Sequence, residues 1–379
     1  MSWSVVDLFS GPGGMSSGFL NSAFDFTHLG AVDLQKGKPG KDGKGGTTTG
    51  CNATYEKNIG VTPFNEDISQ LDPRKFRERL EIEQGDLGVL ISCAPCTGFS
   101  QKMAKNHFED DSRNQLVSRS ALFVREFMPE FFVMENVKEL LNGKHRHHFH
   151  KLHSMLESLG YRVDAQVYDF SKYGLPQKRI RAVIVASREG IGLQALTKND
   201  MVSRVSTVAD LIRGLPELDH GQIDPNDPMH ACPSHTEPVL ARMQAIPANG
   251  GSWADIIDSH PHLLIPSMLN KRDGSFPDVY GRMWWDRPAP TITRECASPG
   301  NGRYTHPEQN RLLTVREMAL LQGFPADYVF EGTLTQRYNQ IGDSVPPMIA
   351  TKIANNIAAA KNASNSAKLL KANHQPSLF

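Results

Sequence analysis

The chain has 379 residues, of which 39% are hydrophobic and 22% charged, a balance that suits an enzyme of one large or two modest domains. Its five cysteines are few, odd in number and irregularly spaced, which argues against a secreted disulfide scaffold and favours a reducing, cytoplasmic compartment. Basic and acidic residues balance at 41 each, so any nucleic-acid binding would depend on local patches. The start, "MSWSVVDLFS", lacks the basic n-region and long apolar stretch of a signal peptide, and no apolar run has membrane-spanning length, so we expect no membrane partner.

Strands and helices alternate in the first half of the chain. "WSVVDLF" (3–9) is a β-rich apolar run that stops at the turn "SGPGG", and a helix-forming stretch follows. Similar apolar runs predict strands at 28–33, 87–93, 131–137 and 181–187, and helices are predicted at 121–127 and 346–360. Together they predict an α/β fold with an open, doubly wound, mostly parallel sheet that binds ligands at the carboxyl ends of its strands.

The composition of the sequence changes near residue 190. Pro, Gly, Asp, Asn and His become more frequent and regular alternation disappears, which predicts a second, smaller and irregular domain. We therefore predict one domain over 1–190, completed by 335–362, a second domain with a hinge over 191–334, and a disordered tail over 363–379.

Two cysteines in "SCAPCTGFS" (92–100) have the spacing of a thiol redox pair. A redox pair usually places its first cysteine at a helix N-terminus, whereas Cys93 ends an apolar strand and Cys96 emerges into the loop. Glu135, in "ENV" at the end of the neighbouring strand, could act there as an acid at neutral pH. Cys96 is therefore a candidate nucleophile, although a structural cysteine and a structural glutamate remain the simpler alternatives.

Six segments, in this order, resemble the motifs of the DNA (cytosine-5) methyltransferases of bacterial and phage restriction-modification type. They are "DLFSGPGGMSSGF", "GVLISCAPCTGFS", "ENV", "YGLPQKRIRAVIVA", "RPAPTITRECASPGNGRYTHPEQNRLLTVREMALLQGFP" and "YNQIGDSVPP". The resemblance implies a Rossmann-like, S-adenosylmethionine-dependent methyltransferase. Its first domain would be catalytic and bind the cofactor, and its second would recognise the target sequence.

The resemblance also implies a mechanism. Cys96 would add to C6 of a cytosine flipped out of double-stranded DNA, so that C5 can accept a methyl group from S-adenosylmethionine. Glu135 would hold or protonate N3 of the base. Arg181, with Arg179, would bind the base O2 or a nearby phosphate.

Further residues are assigned by the resemblance and by their position in the predicted sheet. The predicted cofactor-binding residues are Phe9, Gly11, Gly13, Gly14, Asp33, Asp67, Ile68, Asp343 and Val345. The predicted DNA-binding residues are Ser100, Gln177, Lys271, Arg272 and Arg282. No metal is required.

Three features depart from the family's usual pattern. Thr97 follows the candidate nucleophile where many members have Gln, and Asp343 replaces the more usual Asn. A glycine- and lysine-rich insertion at 36–50, interpreted as a loop, follows Asp33 directly. None of the three removes a catalytic group.

Two histidine-rich segments could suggest a metal. "KHRHHFHKLH" (144–153) is interpreted instead as a solvated basic helix face, and "HACPSH" (230–235) lacks further ligands at zinc-finger spacing.

Partners are predicted as well. The last five residues, Gln375 to Phe379, resemble the peptide with which bacterial proteins bind the sliding clamp, and a cognate restriction endonuclease is a second possible partner. The chain is predicted to be a monomer.

Three alternatives remain open at this point. A tRNA-type cytosine methyltransferase would use the same chemistry on RNA. A catalytically silent DNA-binding protein would not need Cys96, Glu135 and Arg181 together. A redox enzyme would depend on Cys93.

Overall fold

A six-stranded sheet forms the centre of the computed structural model, which describes residues 2–36, 48–95, 110, 114–269 and 278–373. The strands are β1 (Trp3–Leu8), β2 (Phe26–Val32), β3 (Val89–Ser92), β4 (Phe131–Val137), β5 (Arg162–Asp169) and β6 (Ile180–Ser187). Their spatial order is β2-β1-β3-β4-β6-β5. β2, β1, β3 and β4 are parallel, whereas β6 runs antiparallel to both β4 and β5. The predicted α/β fold with a mostly parallel sheet is confirmed.

Helices cover both faces of the sheet, as a doubly wound fold requires. The helices are α1 (Gly14–Leu20), α2 (Cys51–Ile59), α3 (Pro73–Arg79), α4 (Gln115–Phe127), α5 (Glu139–Asn142), α6 (His147–Ser158), α7 (Val208–Ile212), α8 (Glu237–Ala245), α9 (Pro266–Leu269), α10 (Val315–Leu321), α11 (Leu334–Asp343) and α12 (Pro347–Asn373). α1 and α12 pack on one face through residues such as Phe19 and Ile353. α3, α4 and α6 pack on the other face, with Phe76, Phe123 and Leu152 in its core.

A separate apolar core lies beyond the sheet and joins residues between Val208 and Ile341. It contains α7, α10 and α11 and none of the six strands. Tyr338 and Ile341 belong to this core, whereas Val345 already packs under the sheet. The chain therefore passes from this core to the core under the sheet between Ile341 and Val345.

α12 continues to Asn373, so the predicted disorder of 363–379 is not what the structure has over 363–373. Ala, Lys and Leu are frequent in this stretch, and these residues favour a helix once one has started. None of the helices within the described ranges is long and apolar enough to span a membrane.

Candidate active site

The glycine-rich turn after β1 has the backbone geometry of a ligand-binding turn. Phe9, Gly11 and Gly13 all have positive φ angles, of 59°, 52° and 89°. A Cβ on Gly11 would meet nothing within 4 Å, so its backbone faces open space. A Cβ on Gly14 would overlap the carbonyl oxygen of Val345, which explains why only glycine fits where α1 begins.

Asp33 follows β2 and lies directly against this turn. Its Oδ2 accepts a hydrogen bond from the Gly11 N–H at 3.0 Å, and its Oδ1 accepts one from the Gln35 N–H at 2.6 Å. The two predicted cofactor elements are thus brought together at the carboxyl ends of adjacent parallel strands, β1 and β2.

The predicted cofactor segment with Asp67 and Ile68 lies beside β2. The segment that contains Asp67 and Ile68 follows Phe64, whose backbone pairs with that of Ala31 and Asp33 beside β2. Ile68 is buried and Asp67 is exposed.

On the other side of the turn, Val345 packs against Gly14. Asp343 is ion-paired with Arg294 at 2.6 Å. The late "GDSVPP" segment therefore contacts the first motif although more than 300 residues separate them in the sequence.

Glu135 and Arg181 form an ion pair at the ends of neighbouring strands. Arg181 Nε lies 3.2 Å from Glu135 Oε1, and only 9% of the Glu135 side chain and 16% of the Arg181 side chain are exposed. The antiparallel register of β4 and β6 pairs Glu135 with Val183 and Val137 with Arg181, which brings the two side chains to the same end of the sheet. A buried carboxyl group beside a planar guanidinium could form hydrogen bonds with the edge of a polar ring.

Cys93 directly follows β3 and lies near this pair. Its burial, together with the negative charges of Glu135 and Asp7, raises the pKa of the Cys93 thiol well above its ordinary value. A thiol that resists ionisation is a poor nucleophile, which argues against a redox pair built on Cys93. Cys96 lies outside the described residues.

Asn136 was not among the residues predicted from the sequence. Its side-chain amide donates to the Ala94 carbonyl at 3.0 Å, and its Oδ1 accepts from the Val137 N–H at 2.9 Å. It therefore fixes the backbone two residues before Cys96. The signal was present in "ENV", where a polar amide follows Glu135 in an otherwise apolar strand.

Asp7 is a second site residue that the sequence reasoning missed. Burial, reinforced by the charge of Asp33 and opposed by the Ser16 hydrogen bond, raises the pKa of Asp7 to about 7. The Ser16 hydroxyl donates to Asp7 Oδ2 at 2.6 Å and is also 2.9 Å from the Tyr55 hydroxyl. Asp7 is the one charged residue of β1, which is the pattern that could have drawn attention to it.

Arg179 and Gln177 are buried and bind protein backbone. Arg179 donates to the carbonyls of Ile292 and Ser344, both at 3.1 Å. Gln177 accepts from the Ile292 N–H and donates to the side chain of Gln322. These contacts hold the late segments against the "QKRIR" stretch, so the structure favours positioning roles over the predicted base contact of Arg179 and DNA contact of Gln177.

Arg282 is likewise a structural residue in this conformation. Only 2% of it is exposed, and its guanidinium donates to the carbonyls of Ile246, His306 and Met243, among others. A side chain enclosed in this way has no surface to offer to DNA, which argues against the predicted contact. Ser100, Lys271 and Arg272, the other predicted DNA-binding residues, lie outside the described residues, as does the predicted clamp peptide Gln375–Phe379.

An open glycine turn with a carboxylate at the next strand end, beside a buried acid, is typical of an α/β enzyme that binds a nucleoside cofactor. The family sequence model of the C-5 cytosine-specific DNA methylases matches residues 3–359 of the chain. The chain belongs to that family. It is 34% identical to the Type II methylase M.HgiDII of Herpetosiphon aurantiacus, over 93% of this chain and 94% of that protein. It is 32% identical to the Type II methyltransferase M1.HphI of Haemophilus parahaemolyticus, over 93% of this chain and 86% of that protein.

Solved structures show the same fold at lower identity. Dnmt2 methyltransferase of S. pombe has a TM-score of 0.58 and 16% identity, with 96% of this chain and 100% of that one covered. The chain is thus a DNA (cytosine-5) methyltransferase, and the methyl donor of the family is S-adenosylmethionine.

The residues around the glycine turn fit that donor. Ser10 Oγ is buried and has no hydrogen-bond partner among the described residues, and Gly11 leaves the backbone open. Phe9 is a half-buried aromatic ring, and Asp33 is a carboxylate at the next strand end. A carboxylate at a strand end and an open backbone turn suit the ribose and the polar amino-acid end of such a cofactor.

Proposed function

We propose that this enzyme methylates C5 of cytosine within one specific sequence of double-stranded DNA, with Cys96 as the covalent nucleophile on a flipped-out base. The observation that carries the proposal is the buried Glu135–Arg181 pair, because it lies at the end of the sheet beside β3, the strand that leads to Cys96. The bound S-adenosylmethionine would supply an electrophilic methyl group.

The chain's own residues would perform the remaining steps. The Cys96 thiolate would form a bond to C6 while Glu135 gives a proton to N3 and Arg181 binds O2, so that the C5–C6 double bond opens towards C5. C5 would then accept the methyl group. Loss of the C5 proton to a base would restore the double bond and expel the Cys96 thiolate, while N3 returns its proton to Glu135. Flipping the base out of the duplex costs a few kcal/mol, which contacts to the DNA backbone must offset.

Residues at the turn would hold the cofactor. Phe9 would stack on the adenine, Asp33 would accept from the ribose hydroxyls, and Asp67 would contact the adenine amine. Gly11, Gly13 and Gly14 would admit the methionine end. Ile68, Asp343 and Val345 would complete the walls of the cleft.

Sequence recognition is proposed for 191–334, within a catalytic framework of 1–190 and 335–362. The named relatives are Type II methylases, which supports a restriction-modification setting and a cognate endonuclease as partner. We likewise propose that Gln375–Phe379 bind the sliding clamp and that the enzyme is a monomer.

The proposal is tested in bacteria that lack cytosine methylation. Wild type, Cys96→Ser and Cys93→Ser are expressed to equal soluble levels, and 5-methylcytosine is mapped by bisulfite sequencing of the host DNA. We expect methylation in one short context for wild type and Cys93→Ser, and none for Cys96→Ser. Methylation by Cys96→Ser, or an unmethylated genome with folded wild-type protein, would contradict the proposal.

A further inference from the structure

A cluster of imidazole and carboxylate groups lies around Asp110, in part of the segment interpreted from the sequence as a solvated basic helix face. His145 and His148 are in fact buried, although His147 is largely exposed. His147 Nε2 lies 3.2 Å from Asp110 Oδ2, and His145 Nδ1 lies 3.7 Å from Asp110 Oδ1. One donor atom from each of Asp110, His145 and His147 lies within 4.8 Å of the other two.

The three donor atoms are close enough together to bind one metal ion. Metal–ligand bonds of about 2.0–2.1 Å in a tetrahedral zinc site place the donor atoms about 3.3 Å apart. The three donor atoms lie within 4.8 Å of one another, so movements of up to about 1.5 Å would bring them to that spacing. The 3.7 Å between His145 Nδ1 and Asp110 Oδ1 is longer than a hydrogen bond.

Neighbouring side chains hold the carboxylate in place. His148 Nε2 donates to Asp110 Oδ2 at 2.9 Å, and Asn114 donates to Asp110 Oδ1 at 2.7 Å. Hydrogen bonds of this kind orient the ligands of metal sites and are needed for tight binding. With 40% of the Asp110 side chain and 61% of the His147 side chain exposed, an ion can enter from solvent and keep a water in its fourth position.

We propose that Asp110, His145 and His147 form a binding site for one divalent transition-metal ion of the zinc class. Two imidazoles and one carboxylate favour Zn²⁺, Co²⁺, Ni²⁺ or Cu²⁺ over Mg²⁺ and Ca²⁺, which prefer oxygen ligands throughout. The site joins residue 110 to the start of α6 and is separate from the groups assigned to methyl transfer. It does not depend on the proposed function.

The test is a Zn²⁺ titration of the full chain, produced without a histidine tag and stripped with EDTA. A Cys96→Ser background removes the thiol proposed as nucleophile, which could otherwise bind zinc. Competition with a chromogenic chelator measures affinity and stoichiometry, and Co²⁺ absorption in the visible range reports the geometry. We expect one ion per chain with a tetrahedral Co²⁺ spectrum.

Matched variants separate this site from other histidines. His147→Asn and Asp110→Asn should each weaken Zn²⁺ binding at least tenfold. His150→Asn removes an exposed imidazole from the same helix and should leave the affinity unchanged. Because His147 is exposed, His147→Asn should melt at the same temperature as its parent without metal. Absence of stoichiometric binding, or equal affinity in all three variants, would overturn the site.

Discussion

In the proposed mechanism, Glu135 is the residue on which the chemistry depends most directly after the nucleophile. Glu135→Gln keeps the size of the side chain and an acceptor for Arg181 but removes the proton that N3 would receive. General acid groups contribute about 10²- to 10⁴-fold, so kcat should fall at least about 100-fold with little change in DNA or cofactor affinity. Single-turnover methyl transfer to a DNA substrate measures the effect.

The control for this variant is Glu78→Gln, which changes an exposed glutamate of α3. It should retain full activity. If Glu135→Gln kept wild-type kcat, the proton would have to come from another group and the assignment would fail.

Asp7 shows how a buried acid can couple the cofactor turn to pH. Burial raises its pKa from 3.8 to about 7, so between these values the native state holds a proton that the unfolded state has released. Stability therefore falls as pH rises through this window, by a few kcal/mol at most. The substituted side chain in Asp7→Asn cannot ionise, so residue 7 should not lower the stability of this variant as the pH rises.

Urea unfolding of wild type and Asp7→Asn at pH 5 and pH 8 tests the linkage. We expect the stability of the variant relative to wild type to increase from pH 5 to pH 8. Comparing the two proteins removes the effect of other groups, such as His28, whose pKa burial lowers to about 4. A difference that is the same at both pH values would mean that Asp7 is ionised throughout.

At the scale of elements, β1, β2, β3, β4 and β6 were predictable because each is a short apolar run with a clear end. β5 was missed because its sequence, "RVDAQVYD", is an edge strand with Asp and Gln among its apolar residues and only one fully buried position. The antiparallel direction of β6 was not predicted either, because an apolar run carries no information on strand direction.

The packing of α1 against α12 depends on Gly18. A Cβ there would lie 2.5 Å from the Pro347 carbonyl oxygen and would also overlap the Ala350 methyl group. Alanine favours a helix over glycine by about 1 kcal/mol, but the overlap should cost more. Gly18→Ala is therefore expected to destabilise the protein by roughly 1–2 kcal/mol in urea unfolding.

Gly214→Ala is the matched control, since a Cβ at Gly214 meets nothing within 4 Å and its φ is not positive. That variant should unfold within about 0.5 kcal/mol of wild type. A stable Gly18→Ala protein would indicate that α12 can move away from α1 without cost.

At the scale of the whole molecule, the family motifs located the glycine turn and both members of the Glu135–Arg181 pair, but not which polar residues are buried. Gln177 and Arg179 look like surface residues in a sequence because Gln and Arg are usually exposed. In the fold they are enclosed by segments more than 100 positions away, such as those of Ile292 and Gln322. Only tertiary structure reveals that they hold the two cores together.

Arg282 gives the sharpest test of this distinction between packing and DNA contact. Arg282→Gln would leave several buried carbonyl groups without their donor, including those of Ile246 and Met243, and should destabilise the protein by more than about 2 kcal/mol. The slope of log Kd against log salt concentration should not change, because no phosphate contact is lost.

Arg204→Gln, which changes an exposed guanidinium paired with Asp210, should leave stability within about 0.5 kcal/mol of wild type. If Arg282 contacted DNA instead, Arg282→Gln would keep wild-type stability, and its slope of log Kd against log salt concentration would be smaller by about 0.9. Unfolding curves and DNA binding at several salt concentrations therefore decide whether Arg282 stabilises the second core or reads DNA.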